Sequence, residues 1–256
     1  MQQEIERLVP WLMTAKSVVA FTGAGVSTES GIPDFRSPGG VWAKSQPVMY
    51  QDYVVSVDAQ QEYWRQKSEA HDSMFKAEPN VTHKALARWE ELGLLRGVIT
   101  QNIDELHQRA GSRQVLELHG TAMKIGCLYC DARFEADPMV RDFLETKTIP
   151  PCPKCNGLLK HATISFGQAL PEDVLQTAAV WAREAEVFLT LGSSLVVYPA
   201  AQLPEIAKRS GARLVIINRD PTPLDGIADL VINAPLGEVM EAIEARLYEQ
   251  QTDENA

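Results

Sequence analysis

Short apolar runs rich in β-branched residues recur along this chain, and several run directly into small, polar or catalytic residue types. The runs lie at 17–21, 97–100, 115–118, 163–166, 187–191, 213–217 and 230–232, with helical patterns between several of them, as at 82–92 and 171–184. Strands alternating with helices predict an α/β fold whose parallel sheet is covered on both faces. In such sheets ligands sit at the carboxyl ends of the strands. Here those ends lead into Gly-Ala-Gly, Thr-Gln-Asn-Ile-Asp, Leu-His-Gly, Leu-Gly-Ser-Ser and Ile-Asn-Arg-Asp. One edge of the sheet is therefore expected to carry the chemistry.

Two stretches break the alternation. Residues 38–80 are polar and aromatic, with Trp42, Tyr50, Tyr53, Tyr63 and Trp64, and read as a helical insert. Residues 121–162 hold all four cysteines and several prolines and read as a second insert. Cys127 and Cys130 form one CxxC pair and Cys152 and Cys155 another, with 21 residues between. Two such turns can close a tetrahedral thiolate site, so a structural zinc is expected, with no open position for catalysis. It would hold together an insert too small to fold on a hydrophobic core. Disulfides, an iron–sulfur centre and a redox role for one pair are the rival readings.

The formal net charge is -10. Phosphate contact depends on Lys and Arg, so general nucleic-acid binding is not expected. A basic protein or peptide partner suits this charge better. Much of the excess lies in 238–256, where six acids face one Arg, the composition of a solvated helix and frayed tail. No run of 18 apolar residues is present, so no membrane span is expected. Glu4, Glu6 and Arg7 interrupt the start of the chain where a signal peptide needs an apolar core. That start reads as an amphipathic helix with Ile5, Leu8, Val9 and Leu12 on one face, and the expected location is the cytoplasm.

After the first run comes Gly-Ala-Gly-Val-Ser-Thr-Glu-Ser-Gly-Ile-Pro-Asp-Phe-Arg-Ser, residues 23–37. A dinucleotide fingerprint needs a third glycine three positions after Gly25, and Thr28 stands there. The N–H groups of Ala24, Gly25 and Val26, with the Ser27 hydroxyl, can cradle phosphate. With Pro33 so near, the segment is expected to continue as an extended flap over a nucleotide. Phe35 would lie against a flat ring and Arg36 would reach a phosphate or ribose. A tight turn packed on a helix, with Phe35 in the core, is the alternative.

This stretch, Thr-Gln-Asn-Ile-Asp-Glu-Leu-His-Gln-Arg-Ala-Gly from Thr100, Leu-His-Gly at 118–120, the paired CxxC motifs, Gly-Ser-Ser-Leu-Val-Val-Tyr-Pro-Ala from Gly192 and Ile-Asn-Arg-Asp-Pro-Thr-Pro from Ile217 occur in this order. Together they resemble the sirtuin family of NAD-dependent protein-lysine deacylases, over roughly residues 5–245. The resemblance implies a Rossmann-like domain from 1–37, 81–120 and 163–250. The inserts at 38–80 and 121–162 would form a small domain, with an acidic tail at 251–256. NAD and an acyl-lysine peptide would enter the cleft from opposite sides. The acyl oxygen would attack C1′ of the nicotinamide ribose, nicotinamide would leave, and the acyl group would end on O-acyl-ADP-ribose.

By resemblance, His119 is the general base that deprotonates a ribose hydroxyl, a task that suits the pKa of imidazole. Taken alone, a histidine at a strand end is also a common structural hydrogen-bonder. Asn102 and Asp104 would hold the nicotinamide end, with Ile103 between them and Gln101 touching the ribose; a helix cap is their alternative. The NAD contacts would be Gly23, Ala24, Gly25, Ser27, Asp34, Phe35 and Arg36, then Gly192, Ser193 and Ser194, then Asn218, Arg219 and Asp220 at the adenosine end. Phe166 and Gly167, with Val196, Val197 and Tyr198, would pair with the peptide backbone as an added strand. His107 and His83 are read as structural, and His71 and His161 give no signal.

The chain departs from the family pattern in two places. Gln168 stands where Phe-Gly-Glu is usual, which predicts weaker engagement of a basic peptide without loss of chemistry. Relatives that prefer succinyl or malonyl lysine carry a Tyr with an Arg three positions on; the nearest match is Tyr63 with Gln66, and Arg65 is the cation that could move in. Without the Arg, an acidic acyl group would be buried unpaired. Acetyl or neutral fatty acyl substrates are therefore expected. Long-chain deacylation, protein ADP-ribosylation and a non-catalytic NAD-sensing module are the competing functions. The broken glycine fingerprint disfavours a hydride-transfer dehydrogenase.

Overall fold

The computed structural model describes residues 1–34, 40 and 46–253, with backbone alone from 251. Six strands form one parallel sheet: β1 (Val18–Thr22), β2 (Gly97–Thr100), β3 (Val115–Glu117), β7 (Val187–Leu191), β8 (Arg213–Ile217) and β9 (Leu230–Ile232). Their order is β3-β2-β1-β7-β8-β9. The chain starts at the centre, builds outward through β2 to β3, then returns to the other side of β1. The reversal falls between β1 and β7, where a doubly wound sheet opens a crevice for ligands.

Along β1, residues alternate between two cores because successive side chains point to opposite faces. Val18 and Ala20 join a cluster with Ile5, Leu8, Val9 and Leu12 of α1 (Gln2–Thr14). Ala85, Leu86 and Trp89 of α4 (Val81–Glu91) complete that face together with Val239, Met240 and Ile243 of α9 (Leu236–Asp253). Val19 and Phe21 join the opposite cluster, under Trp181 of α7 (Glu172–Glu184) and Leu203 of α8 (Gln202–Arg209). Burial on both faces explains why these strands read as continuous apolar runs.

The two inserts share a third core. Tyr53 of α2 (Tyr50–Val55) and Tyr63 and Trp64 of α3 (Val57–Lys76) pack with Ile125, Phe143, Cys152 and Leu159. Trp64 donates Nε1–H to the Tyr53 hydroxyl at 3.1 Å, and Tyr53 donates to the Leu159 carbonyl. The cysteine segment contributes α6 (Ala136–Thr146) and an antiparallel sheet ordered β5-β4-β6, from β4 (Gly120–Cys127), β5 (Arg133–Glu135) and β6 (Leu159–Thr163). No helix among the described residues is long and apolar enough to cross a membrane.

Two expectations are corrected. The run at 163–166 is not a strand of the parallel sheet: β6 ends at Thr163 in the small sheet, and Ile164 then donates its N–H to the His119 carbonyl at 2.8 Å. An apolar run cannot distinguish a core strand from a segment leaving one. The glycine-rich loop does not extend directly. It winds into a 3-10 helix, Ala24–Ser30, stopped by Gly31 at φ 85°, and any extended flap begins after that glycine.

Candidate active site

The loops after β1, β2, β3 and β7 meet at one edge. His119 lies two residues beyond β3, half-buried, with Nδ1 2.9 Å from the Gln101 carbonyl. A carbonyl can only accept, so the proton sits on Nδ1 and Nε2 keeps its lone pair. Burial holds the imidazole below its usual pKa, with the Gln101 carbonyl opposing more weakly. The ring is therefore neutral at pH 7 with a bare nitrogen, the state a general base requires.

Gln101, Asn102, Ile103 and Asp104 form the turn between β2 and α5 (Leu106–Ala110). Gln101 donates Nε2–H to Ser193 Oγ at 2.9 Å. Ile103 accepts the Ala122 N–H at 2.8 Å, which ties the turn to β4. Asn102 donates Nδ2–H to the Gly23 carbonyl and to Ser27 Oγ, both at 3.1 Å. Ser27 in turn donates to Asp104 Oδ2 at 2.6 Å. Asp104 also accepts the Leu106 N–H at 3.0 Å, an Asx turn leading into the helix. Burial raises the Asp104 pKa, opposed by the Ser27 hydroxyl.

The loop after β1 differs from the phosphate cradle the sequence suggested. Gly25 donates its N–H to the Gly192 carbonyl at 2.8 Å and Val26 to the Gly23 carbonyl at 3.0 Å, so two of the three amides are already bonded within the protein. A Cβ at Gly25 would lie 2.8 Å from Gly192 Cα, and one at Gly23 2.8 Å from Ser193 Cβ. These glycines let the β1 and β7 loops touch at the switch point. Ala24, half-buried beside them, and the half-buried Ser194 complete this part of the edge.

At the far side, Asn218 donates Nδ2–H to the Asp220 carbonyl at 2.6 Å, and Arg219 pairs with Asp220 at 3.0 Å. Asp220 first, and Asp34 more weakly, favour the charged guanidinium of Arg219, which places the loops after β1 and β8 within electrostatic reach. Phe35 and Arg36 lie outside the described residues.

Phe166, Val196 and Tyr198 are 41%, 45% and 58% exposed. The Phe166 carbonyl accepts the Tyr50 N–H at 2.9 Å and the Val197 carbonyl accepts the Ala201 N–H at 2.8 Å. A carbonyl has two lone pairs, so that of Val197 retains capacity for a strand laid alongside. Gly167 adopts φ 82°, against Gln51. Gln168 turns inward: its Oε1 accepts the Ser165 N–H at 3.1 Å.

The four sulfurs lie within 4.8 Å of one another, with Cys127 to Cys155 at 3.5 Å and Cys130 to Cys152 at 3.7 Å. Sulfurs about 2.3 Å from a tetrahedral ion sit about 3.8 Å apart, so this cluster fits zinc. The distances are far beyond a disulfide bond.

Sequence reading missed Thr22 and Thr100, buried at the ends of β1 and β2, whose hydroxyls bond at 2.8 Å. A threonine closing an otherwise apolar strand was the available signal. It also missed Asn80, whose Nδ2–H reaches the Val26 carbonyl at 2.8 Å from the cap of α4.

A sequence model of the Sir2 family matches residues 23–199. The NAD-dependent protein deacetylase of Rhodopseudomonas palustris is 46% identical over 238 residues, covering 92% of this chain and 94% of the relative. A solved Sir2 structure with a p53 peptide and NAD+ aligns with a TM-score of 0.87 at 39% identity, over 94% of this chain and 98% of that one. Another, with a deacetylated p53 peptide and 3′-O-acetyl ADP ribose, reaches 0.89 at 38% identity with the same coverage. Sequence and fold agree across nearly the full length, and this chain belongs to the Sir2 family.

Proposed function

We propose that this chain removes acyl groups, acetyl foremost, from protein lysines, consuming NAD and yielding nicotinamide, free lysine and O-acyl-ADP-ribose. The observation that carries the residue assignments is His119, locked by the Gln101 carbonyl into the tautomer that leaves Nε2 bare, on the turn that bears Asn102 and Asp104. The relatives' NAD, acetylated-lysine chemistry and acetyl-ADP-ribose support the reaction. When bound, NAD supplies an electrophilic ribose carbon and the hydroxyls that receive the acyl group.

The protein's own part follows from its geometry. His119 Nε2 takes a proton from a ribose hydroxyl. Asn102 spends its Nδ2 hydrogens on Gly23 and Ser27, so it offers Oδ1 to the nicotinamide end. Asp104 holds Ser27 and the start of α5, fixing that turn. Gly192, Ser193 and Ser194 face the phosphates, and Asn218, Arg219 and Asp220 with Asp34 face the adenosine. The exposed segments at Phe166 to Gly167 and Val196 to Tyr198 receive the acyl-lysine peptide by strand addition. Zinc on Cys127, Cys130, Cys152 and Cys155 is structural, since four thiolates fill its coordination sphere.

Neutral acyl groups fit best. Arg65 is committed to Glu62 and Glu69, each at 2.7 Å, and Gln66 to Glu62 and the Gln46 carbonyl. One observation favours acidic acyl chains instead: Nζ of Lys67 and of Lys160 lie 5.7 and 5.5 Å from the Tyr63 ring centroid. Burial holds these amines down at about 8 and about 7, so at neutral pH Lys67 is mostly charged and Lys160 about half charged. Mass-spectrometric turnover of matched acetyl-, succinyl- and myristoyl-lysine peptides with NAD decides the point. Deacylated peptide with matching O-acyl-ADP-ribose is expected, fastest for acetyl. Faster succinyl turnover would transfer the reading to the lysines, and NAD consumption without deacylation would favour ADP-ribosyl transfer.

A further inference from the structure

Behind the nucleotide edge, two histidines that the reaction does not use lie against each other. His83, on α4, and His107, on α5, have ring centroids 4.8 Å apart and are 0% and 1% exposed. We propose that they form a buried imidazole pair that holds the Asn102 main chain in register with the loop after β1, acting as positioning residues. The inference rests on the reading of Asn102 as part of the NAD site.

The hydrogen-bond polarity is determined from one end. Asn102 donates its N–H to Thr100 Oγ1 at 3.0 Å, and Thr22 donates its only hydroxyl hydrogen to the same oxygen at 2.8 Å. His107 Nε2 lies 3.0 Å from Thr22 Oγ1. With its hydrogen spent, Thr22 accepts there, so His107 carries its proton on Nε2 and leaves Nδ1 bare.

At the other end, the Asn80 N–H reaches His83 Nδ1 at 3.3 Å, closing the capping box of α4. That bond makes Nδ1 an acceptor and puts the His83 proton on Nε2. The two ring atoms left over are His83 Nε2, a donor, and His107 Nδ1, an acceptor, both buried without a partner. They are complementary, the donor and acceptor that a bridging water needs. The other His83 tautomer would donate to Asn80 Oδ1, 2.9 Å away. It would leave two bare lone pairs buried in adjacent rings, and both lone pairs of Oδ1 are already taken, by the Thr82 N–H at 3.0 Å and the His83 N–H at 3.4 Å.

The resulting line runs from Asn80 through His83, His107, Thr22 and Thr100 to Asn102. It closes on itself, because Asn80 also holds the Val26 carbonyl and Asn102 holds the Gly23 carbonyl. Two apolar side chains of similar volume would remove the unpartnered ring nitrogens but would strip the Asn80 N–H of its acceptor and Thr22 of a donor. What His107 adds is an N–H to Thr22 Oγ1, which turns that hydroxyl toward Thr100, the acceptor of the Asn102 N–H.

The test uses the full chain loaded with zinc. Imidazole 15N NMR on the wild type at pH 7 is expected to show both rings neutral with the proton on Nε2. A proton on Nδ1 of His107 overturns the proposal whatever the variants do. His107→Phe is expected to stay folded and lose about tenfold in kcat with the acyl-peptide KM unchanged, since a displaced turn costs orientation. His107→Gln, whose amide N–H can still reach Thr22, is expected to recover most of that loss. Wild-type kcat in a folded His107→Phe also overturns it, as does a Gln variant no better than Phe. Should the Phe variant fail to fold, the NMR result and the Gln variant decide. A wild type with the expected tautomers but no NAD-dependent deacylation would sink the functional reading and leave the pair standing.

Discussion

Ser27 gives its hydroxyl hydrogen to Asp104 over 2.6 Å and accepts Nδ2–H from Asn102 at 3.1 Å. One buried oxygen thus joins the loop after β1 to the turn after β2, across 77 residues of sequence. Its hydroxyl hydrogen is thus spent within the protein. Ser27→Ala removes a hydrogen bond to an ionisable group, worth about 1.5–3 kcal/mol. The expected result is a fall of roughly tenfold to a hundredfold in kcat/KM for NAD, with the thermal midpoint moved by only a few degrees. Steady-state kinetics with NAD varied at saturating peptide measures it, and unchanged NAD kinetics would remove Ser27 from the site.

His119→Ala should abolish turnover while leaving folding and zinc content intact. Loss of a general base costs on the order of 10²–10⁴ in rate. The pH profile gives an independent check. His119 must be neutral to act, and burial holds its pKa below the usual imidazole value. Activity should therefore rise with pH through a limb centred below about pH 6.5 and level off above it. A limb centred above pH 7 in log kcat/KM would assign the base elsewhere.

Gly192 adopts φ 59°, and a Cβ there would sit 2.5 Å from the Val26 amide nitrogen. Both backbone strain and the clash act against any side chain. Gly192→Ala is expected to destabilise by roughly 1–3 kcal/mol or more and to weaken NAD binding, because the β1 loop must move. Denaturant unfolding and calorimetric NAD titration test the two effects separately.

The zinc ligands also line a core. Cys127 and Cys152 pack with Tyr53, Trp64 and Phe143 of the helices beside the small sheet. Removing the metal with a chelator, or Cys152→Ser, should release one zinc per chain. Protection of the β4 and β6 amides should then be lost before that of β1 and β7. Metal analysis with hydrogen exchange reads this, and retained protection after complete zinc loss would show a core sufficient by itself.

Lys160 is 2% exposed, its Nζ donating to the carbonyls of Thr163 and, at 3.2 Å, His161. Burial, with Lys67 nearby, lowers its pKa to about 7, and burial lowers that of Lys67 to about 8. An unfolded lysine titrates near 10.4. Between about 7 and 10 the folded chain binds fewer protons than the unfolded one, so stability rises with pH there. Below pH 7 both amines are charged in the fold and the penalty is complete. The slope is up to about 1.4 kcal/mol per pH unit for each proton. Thermal unfolding at constant ionic strength should show the midpoint climbing from pH 7 to 9, less steeply in Lys160→Met. A flat wild-type profile counts against the buried amines.

Much of this was legible because it is local in the chain. Strand alternation, the amphipathic face of Ile5, Leu8, Val9 and Leu12, the paired CxxC motifs and the order of the strand-end motifs are each written within a few consecutive residues. Local patterning dictates strands, helices and thiolate turns before any long-range contact forms. The run at 163–166 shows the limit: its apolar character is shared by core strands and by a segment leaving β6, and only pairing with β4 distinguishes them.

The tertiary structure alone decided how those pieces spend their polar groups. Gly25 and Val26 give their amides to protein carbonyls, Ser27 serves Asp104, Gln168 bonds its own turn, and His83 meets His107. Each partner depends on how β1, β2 and β7 lie side by side and how closely their loops approach. A residue's chemistry is set by its type, but which atoms remain available to a ligand is set by neighbours that only folding brings within hydrogen-bonding distance.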